Sequence, residues 1–466
     1  MGQPNRSHLE ASLSDAVRFP YWLDRPIRPA ERDPLDGPTQ SDLTIIGGGY
    51  SGLWTALCAK ERDPQREVVL LEASRVGGAA SGRNGGFCAS SITHGDDNGR
   101  SRWPEEATLL EALGHKNLDE LVATVERYGI DADLHRSGEL TVATQTYQLE
   151  DLRVAERDSR SHLSFLDREQ IQQEVHSPTY LGARFDSSCV ILDPAKLAWG
   201  LGEVCERLGV RIVEHTPVVG LSRAGTSIAV ETPYGTISSR QVAIATNAYP
   251  SPLKRVRPYI VPVYDYALVT EPLTPEQQDS IGWANHQGIG DSANQFHYYR
   301  RTEDGRILWG GYDAIYNFGG RVDHKHMDRD RTFRLLAQHF FETFPQLEGL
   351  RFSHRWGGAI DTCSRFCAFF GTAHRGDVAY AVGYTGLGVG ATRFGAQVML
   401  DLLDGETTER TNTEMVRSKP VPFPPEPLAW MGITATRHSL ARADRSEGHR
   451  NLWLRTLDRL GLGFDS

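Results

Sequence analysis

Three glycines and one acid, Gly47, Gly49, Gly52 and Glu72, are the residues in this chain whose types and spacing most plainly serve a chemical purpose. In the run Ile45-Ile46-Gly47-Gly48-Gly49-Tyr50-Ser51-Gly52-Leu53, Gly47 suits a tight turn, Gly49 leaves bare backbone for a pyrophosphate, and Gly52 lets a helix close on a strand. The helix that follows offers unpaired N–H groups at its start, Tyr50 and Ser51 among them, and the positive end of its dipole. Glu72, followed by Ala73, stands roughly 25 positions beyond Gly47, near the ~20 at which a carboxylate grips a ribose hydroxyl. The implied chemistry is retention of a dinucleotide. It requires particular elements around it. Asp42–Ile46 reads as a buried strand, Gly52–Ala59 as a helix, and Val68–Leu71 as a second strand ending at Glu72.

Two further glycine clusters narrow the ligand. Gly77-Gly78-Ala79-Ala80-Ser81-Gly82-Arg83-Asn84-Gly85-Gly86-Phe87 follows the second strand directly, and so much bare backbone suits contact with a large flat ring. Gly383 to Gly390 sits between a late apolar strand, Val378–Val382, and a helix running through Leu403. A helix N-terminus there can hold the negative charge that develops at the pyrimidine edge of a reduced flavin.

Composition bounds the alternatives. The chain has 466 residues, enough for two or three domains, with 39% hydrophobic and 24% charged residues as in a globular protein with a real core. A net charge of −10 argues against nucleic acid as a partner. No run approaches the ~18 apolar residues of a membrane span. The first forty residues lack the apolar core of a secretory signal. Six cysteines without metal-ligand spacing suggest reduced thiols, no metal and a cytoplasmic setting. Cys363 and Cys367 are spaced to share a helical face as a structural pair.

Residues 1–40 read as an arm that packs on the body through Phe19-Pro20-Tyr21-Trp22-Leu23. Helices are expected over 109–128, over 149–174, and from Pro194, with Asp193 as its N-cap, to Leu208. From about 255 to 350 the pattern alternates as in an antiparallel sheet with one half-buried face. Parallel-type strands at the start, middle and end imply one nucleotide-binding domain assembled from 41–95, 176–254 and 355–410. Residues 96–175 and 255–354 would then form a second, sheet-rich domain. The prolines after Lys419 open a linker-like extension, 411–466, ending in a helix near 452–460.

These motifs, with Ala245-Thr246-Asn247-Ala248-Tyr249 and Trp356-Gly357-Gly358, resemble the D-amino-acid oxidase superfamily of FAD-dependent oxidoreductases, and within it the gamma-glutamylputrescine oxidase-like branch. The resemblance covers about residues 14 to 410. It implies a mixed α/β fold: a discontinuous Rossmann-like FAD-binding domain plus an antiparallel-sheet substrate domain that roofs the flavin. The family pattern falls on Gly47, Gly49, Tyr50, Ser51 and Gly52 for the pyrophosphate, and on Glu72 and Ala73 for the adenosine ribose. It places Val218 at adenine and Ser81, Arg83, Asn84, Gly85 and Gly86 at the ring system. Ala245 and Thr246 also fall at the cofactor, and Gly383, Gly386, Leu387, Gly388 and Val389 at the pyrimidine edge.

The activity implied is oxidation of a carbon–nitrogen bond in a small primary or secondary amine, an amino acid or polyamine derivative. Hydride passes to flavin N5, the imine hydrolyses, and oxygen is reduced to peroxide. An aromatic pocket would favour the neutral amine, whose lone pair drives hydride loss, by desolvation. Candidate walls are His297, Tyr298, Tyr299, Tyr312, Tyr316 and Trp356. Arg300 or Arg301 could grip a substrate carboxylate, although neighbours on a strand face opposite ways. Sarcosine-oxidase-type members use a roof lysine for oxygen, whereas residues 255–320 here contain none, which leaves open another electron acceptor. Their flavin-tethering cysteine falls near Gly358, so FAD is expected to be non-covalent, and His94 is more in keeping with the surface than with the pocket. Two rival readings stand: a flavin monooxygenase, whose second motif Gly371-Thr372-Ala373-His374 matches only without its aspartate, and an electron-transfer subunit.

Overall fold

The computed structural model describes residues 6–157 and 162–462. Its strands divide between two large sheets and one small ribbon. In the first sheet the spatial order is Phe369–Ala373, Val378–Val382, Gly235–Ile244, Thr39–Ile46, Val68–Leu71 and Arg211–Val213. Thr39–Ile46 is central and parallel to both neighbours, with Ile45 opposite Ala243 on one side and Leu70 on the other. Its alternation explains that position. Leu43 and Ile45 join the cluster built on the helices Tyr50–Arg62, Pro194–Arg207 and Gly388–Asp404, while Ile46 points to the opposite cluster with Val69, Leu71, Ile228 and Val230.

The second sheet runs Ile315–Tyr316, Val261–Thr270, Ile307–Gly311, His297–Arg301, Gly288–Asp291, Glu139–Ala143, Gly182–Asp186 and Leu163–Leu166, with Phe352–Thr362 paired along Val261–Thr270. Its pairings are antiparallel except where Gly288–Asp291 meets Glu139–Ala143. One face is covered by the helix Asp330–Thr343, whose Phe333, Leu336 and Phe340 pack on Tyr264, Tyr266, Leu268, Tyr299 and Trp309. The other face looks toward the glycine loops of the first sheet.

Several expectations are corrected by the pairing. Phe352–Thr362 straddles the boundary drawn at 355 but belongs to the second sheet, because it pairs with Val261–Thr270 from Val261↔Thr362 to Thr270↔Phe352. Gly182–Asp186, assigned to the nucleotide-binding intervals, likewise pairs with Glu139–Ala143 and Leu163–Leu166. The single helix expected over 149–174 is instead a helix, Gln148–Arg157, a strand, Leu163–Leu166, and a second helix, Arg168–Glu174, started by Asp167 in a capping box with Gln170. Residues 158–161 of that span lie outside the described residues. Cys363 and Cys367 occupy a turn rather than a helix, with Cys363 Sγ 3.1 Å from the Cys367 carbonyl. The proline-rich extension carries an unexpected helix, Leu428–Arg445, docked by Arg437 on Asp313 at 3.0 Å and by Asp444 on the Asn294 N–H at 2.8 Å.

The arm does pack on the body. Trp22 is 2% exposed, and Arg32 pairs with Glu206 and with the buried Glu214. The helix predicted from Pro194 runs to Arg207, with Asp193 accepting from the Lys196 N–H at 2.9 Å.

Candidate functional site

The turn after Thr39–Ile46 is built as its glycines require. Gly47 has φ +115°, and a Cβ there would lie 2.3 Å from the Ala245 carbonyl oxygen. At Gly52 a Cβ would lie 1.9 Å from the Gly47 oxygen, so the helix starts in direct backbone contact with the turn. Gly49 opens the helix Tyr50–Arg62 with no side-chain cap, leaving first-turn N–H groups for a ligand. The Tyr50 N–H donates to Ser81 Oγ at 2.9 Å, which joins the turn to the second glycine loop. Glu72 closes the far side, its carboxylate accepting from the Gly48 N–H at 2.7 Å and the Ser74 N–H at 2.8 Å. Burial still pushes its carboxyl above the ordinary range. Ala73 beside it is exposed, and Val218 is half-buried beside the cluster that includes Ile46 and Val69.

The second loop is stitched internally. Asn84 donates to the Ala80 and Ser81 carbonyls and accepts from the Gly86 N–H at 2.8 Å, so its amide shapes the loop. Trp22 Nε1 donates to the Asn84 carbonyl at 2.9 Å, and Trp356 Nε1 donates to the Arg83 carbonyl at 2.9 Å. The arm and the second sheet therefore grip the same loop from two sides. Gly86, at φ +79°, lies against the Leu192 carbonyl. Gly85 faces the Tyr298 ring, where a Cβ would come to 2.8 Å.

The late loop has an organiser that sequence reasoning missed. Asp361, 1% exposed, accepts from the Gly383 N–H at 2.6 Å and the Tyr384 N–H at 3.2 Å, and burial pushes its carboxyl up to about 6. The helix Gly388–Asp404 then starts at Leu387 without a side-chain cap, beside Gly386 at φ +95°.

Alternation across His297–Arg301 separates the candidate roof residues. Tyr298 faces the glycine loop, with its ring edge-on to Phe87 at 5.9 Å and its hydroxyl donating to Asp265 at 2.5 Å. Burial pushes the Asp265 carboxyl up to about 6, against the lowering effect of the Tyr298 bond. His297 points the other way. Its Nδ1 meets Asp291 at 2.6 Å and its Nε2 meets His339 at 2.9 Å, with Tyr312 stacked on the ring at 5.2 Å. Tyr299 shares that outer face, stacked on Trp309. Tyr316 bonds Glu426 at the sheet edge.

Neither arginine is free to clamp a carboxylate. Arg300 is fully buried, bonded to the Leu192 and Arg301 carbonyls over the Trp22 ring, and burial lowers it to about 10. Arg301 is held by the Trp283 carbonyl and Gln278. His94, expected at the surface, is instead enclosed beside Phe366 and Thr385, with its ring 6.4 Å from that of Phe366 and burial lowering it to about 4. The structure thus brings Tyr298 and Trp356 to the glycine loop together and leaves His297 on the far face. Asp265 was missed because its strand looked like ordinary alternating sheet.

Between the two sheets, residues of otherwise buried segments are half-open: Ser81, Arg83, Phe87, Val263, Asp265, Tyr298, Gly358 and Ile360. They trace a cleft that begins at the Gly47–Gly52 turn. Thr246 Oγ1 and Asn247 Oδ1, buried beside Ala245, make no hydrogen bond among the described residues. A parallel nucleotide-type sheet, two uncapped helix starts, a ribose-type acid and orphaned polar atoms fit an extended dinucleotide, and define a two-sheet protein of the dinucleotide-binding class.

The chain belongs to the DAO family, FAD dependent oxidoreductases, whose profile matches residues 42–402. It is 33% identical over 396 residues to the gamma-glutamylputrescine oxidoreductase of Escherichia coli (strain K12), covering 83% of this chain and 89% of that one. It is 28% identical over 409 residues to the probable oxidoreductase OrdL of Haemophilus influenzae, covering 85% and 90%. Among solved structures, glycine oxidase from Geobacillus kaustophilus shares the fold with a TM-score of 0.66 at 18% identity, covering 80% of this chain and 96% of that one. The protein is an FAD-dependent oxidoreductase. Among the described residues, no helix is long and apolar enough to cross a membrane.

Proposed function

We propose that the protein oxidises the carbon–nitrogen bond of a small primary or secondary amine, an amino acid or polyamine derivative, to an imine that hydrolyses to a carbonyl compound. The observation that carries this reading is the Tyr298 ring set directly on Gly85 of the glycine loop, with Phe87 and Trp356 beside it. The names of the relatives, a gamma-glutamylputrescine oxidoreductase and a glycine oxidase, support the same substrate class. In this reading the Gly47–Gly52 turn and Glu72 hold the pyrophosphate and adenosine ribose of FAD, and Val218 lies at its adenine. The loop from Ser81 to Gly86 holds the ring system, and Gly383 to Val389 its pyrimidine edge. FAD supplies the two-electron acceptor at N5 for C–N oxidation.

The protein's own part is to bind, dry and orient the amine. Phe87, Tyr298 and Trp356 exclude water from the loop face, and desolvation favours the neutral amine over its ammonium form. A second reading, in which oxygen is not the electron acceptor, is favoured by the absence of lysine from residues 255–320. One experiment tests both. Flavin absorbance is followed anaerobically while 1,4-diaminobutane, its N-acyl derivatives, glycine and sarcosine are added singly, and air is then admitted. Bleaching by one of these supports the amine reading, and no bleaching by any overturns it. Rapid recolouring with peroxide supports an oxidase, and persistent bleaching supports another acceptor.

A further inference from the structure

We propose that Asp265, steadied by Tyr298, is the anion that receives the ammonium nitrogen of the arriving substrate, which then releases its proton to water before the neutral amine reacts. This rests on the amine reading above and names the group that selects for it. Asp265 lies on the inward face of Val261–Thr270, half-open to the cleft, between Val263 and Ala267 on the same face. Its cross-strand partner is Gly358, where a Cβ would meet only the Arg83 Cβ, at 4.0 Å. The carboxylate therefore has open space beside it rather than a packed neighbour.

What is missing around Asp265 is a cation. Among the described residues it makes no ion pair; its partners are the Tyr298 hydroxyl and the Tyr266 and Gly311 N–H groups, all of them neutral. Arg83, across Gly358, bonds the Gly78 carbonyl at 2.9 Å and lies 3.2 Å from Met327 Sδ. Arg300, on the same face of the sheet as Tyr298, is bound to backbone carbonyls beneath Gly86. An ionised carboxylate on this half-open wall has lost part of its hydration without gaining a counter-charge, and a ligand that brings the cation offsets that cost. The inward positions of the neighbouring strands, Trp356, Gly358, Ile360, Tyr298, Leu308 and Gly310, offer no second acid to share the role.

Tyr298 is a positioning residue here. Its hydroxyl fixes one oxygen and so the carboxylate plane, while burial and the neighbouring acid keep the phenol protonated as a donor. The same ring abuts Gly85, so the anion is held at a fixed offset from the loop that is to bear the flavin ring.

The test uses the full-length, FAD-loaded protein and its Asp265→Asn and Tyr298→Phe variants. Flavin absorbance and melting temperature are recorded first, and then kinetics with the amine from the panel that bleaches the wild type. Asp265→Asn is expected to raise KM at least 30-fold with a much smaller change in kcat, and Tyr298→Phe to raise it about 3- to 10-fold. A binding readout stands beside turnover: flavin spectral perturbation by n-butylamine against n-butanol. The wild type should prefer the amine, and Asp265→Asn should lose that preference. If the wild type is reduced by an amine but Asp265→Asn keeps both its KM and its preference, the anchor is wrong and the amine reading stands. If no amine reduces the wild type, the amine reading fails and this inference with it. Should Asp265→Asn not retain FAD, Tyr298→Phe decides the matter, and an unchanged KM would overturn the proposal.

Discussion

Gly49 and Gly52 sit three positions apart in one fingerprint, yet the structure predicts that substituting them fails for different reasons. Gly49 has φ −84° and ψ −177°, extended backbone that any residue adopts. A Cβ there would meet Ser81 Oγ at 2.9 Å and little else, and that atom can rotate away. The folding cost of Gly49→Val is then chiefly the hydrogen bond from the Tyr50 N–H to Ser81, about 1 kcal/mol. Gly52→Ala is another matter. Its Cβ would stand 1.9 Å from the Gly47 oxygen and 3.2 Å from Ile45 Cγ2, and Gly47 is itself fixed at φ +115° against Ala245. Backbone cannot rotate away as a hydroxyl can. The turn must open, at the upper end of the ~1–3 kcal/mol of ordinary overpacking or beyond it.

Both variants should be purified without flavin, because the first fills the space a pyrophosphate needs and the second distorts the turn that holds it. The comparison must be made on cofactor-free protein, since bound FAD stabilises only the folded state and would mask the difference. Cofactor-free Gly49→Val should melt within a few degrees of cofactor-free wild type, at roughly 2–4 °C per kcal/mol for a sizeable domain. Gly52→Ala should melt well below both. A fully flavinated Gly49→Val would refute the placement of the phosphates, and equal destabilisation by the two would refute the geometric argument.

Three further outcomes follow from the site. His297→Ala should cost about 2–4 kcal/mol, because Asp291 and His339 lose their partner inside the protein; the folded fraction should keep its amine KM, and a tenfold KM change in fully folded protein would contradict the outer-face position. Trp22→Phe removes the bond to the Asn84 carbonyl, about 1 kcal/mol, and should weaken FAD several-fold in a cofactor-release titration. Asp265 is held at about 6, above its unfolded value, so its contribution to stability is full below about pH 4 and is lost as pH rises through 6. Relative to wild type, cofactor-free Asp265→Asn should therefore gain about 1–2 kcal/mol between pH 4.5 and 7 in urea melts, cleft water trimming the ~2.7 kcal/mol of a two-unit shift; a flat difference would show that the Tyr298 hydroxyl and the Tyr266 and Gly311 N–H groups already balance the charge.

The fingerprint was legible because its meaning is local. Gly47, Gly49 and Gly52 act within one turn, and Glu72 ends the adjoining parallel strand, so spacing alone places them. The loop from Gly77 to Gly86 was legible for the same reason. What spacing does not carry is which face a strand residue takes, since a shift of one position exchanges the faces. His297 and Tyr298 are equally aromatic neighbours, and only pairing with Ile307–Gly311 turns Tyr298 to the cleft and His297 to His339. Asp361 gives no local signal, because the N–H groups it serves lie more than twenty positions on. The helix Leu428–Arg445 was hidden by the prolines before it, which do mark an irregular lead-in but end at Pro427, where the helix begins.

Register therefore has to be enforced, and the long pairing of Val261–Thr270 with Phe352–Thr362 is where it is enforced. Tyr264, Tyr266 and Leu268 pack on the helix Asp330–Thr343, while Val263, Asp265 and Ala267 take the inward face. A slip of one residue would drive Asp265 against Phe333 and turn two tyrosines onto the glycine loop. Both changes are costly, a carboxylate in an aromatic core most of all. The ladder runs without a shift from Val261↔Thr362 to Val269↔His354, and its irregularity falls only after Val269, beyond the cleft. The same apolar residues that make the core of this sheet thus hold the acid at the cleft, so a core substitution at Tyr266 or Leu268 is expected to alter the proposed amine binding without touching the site.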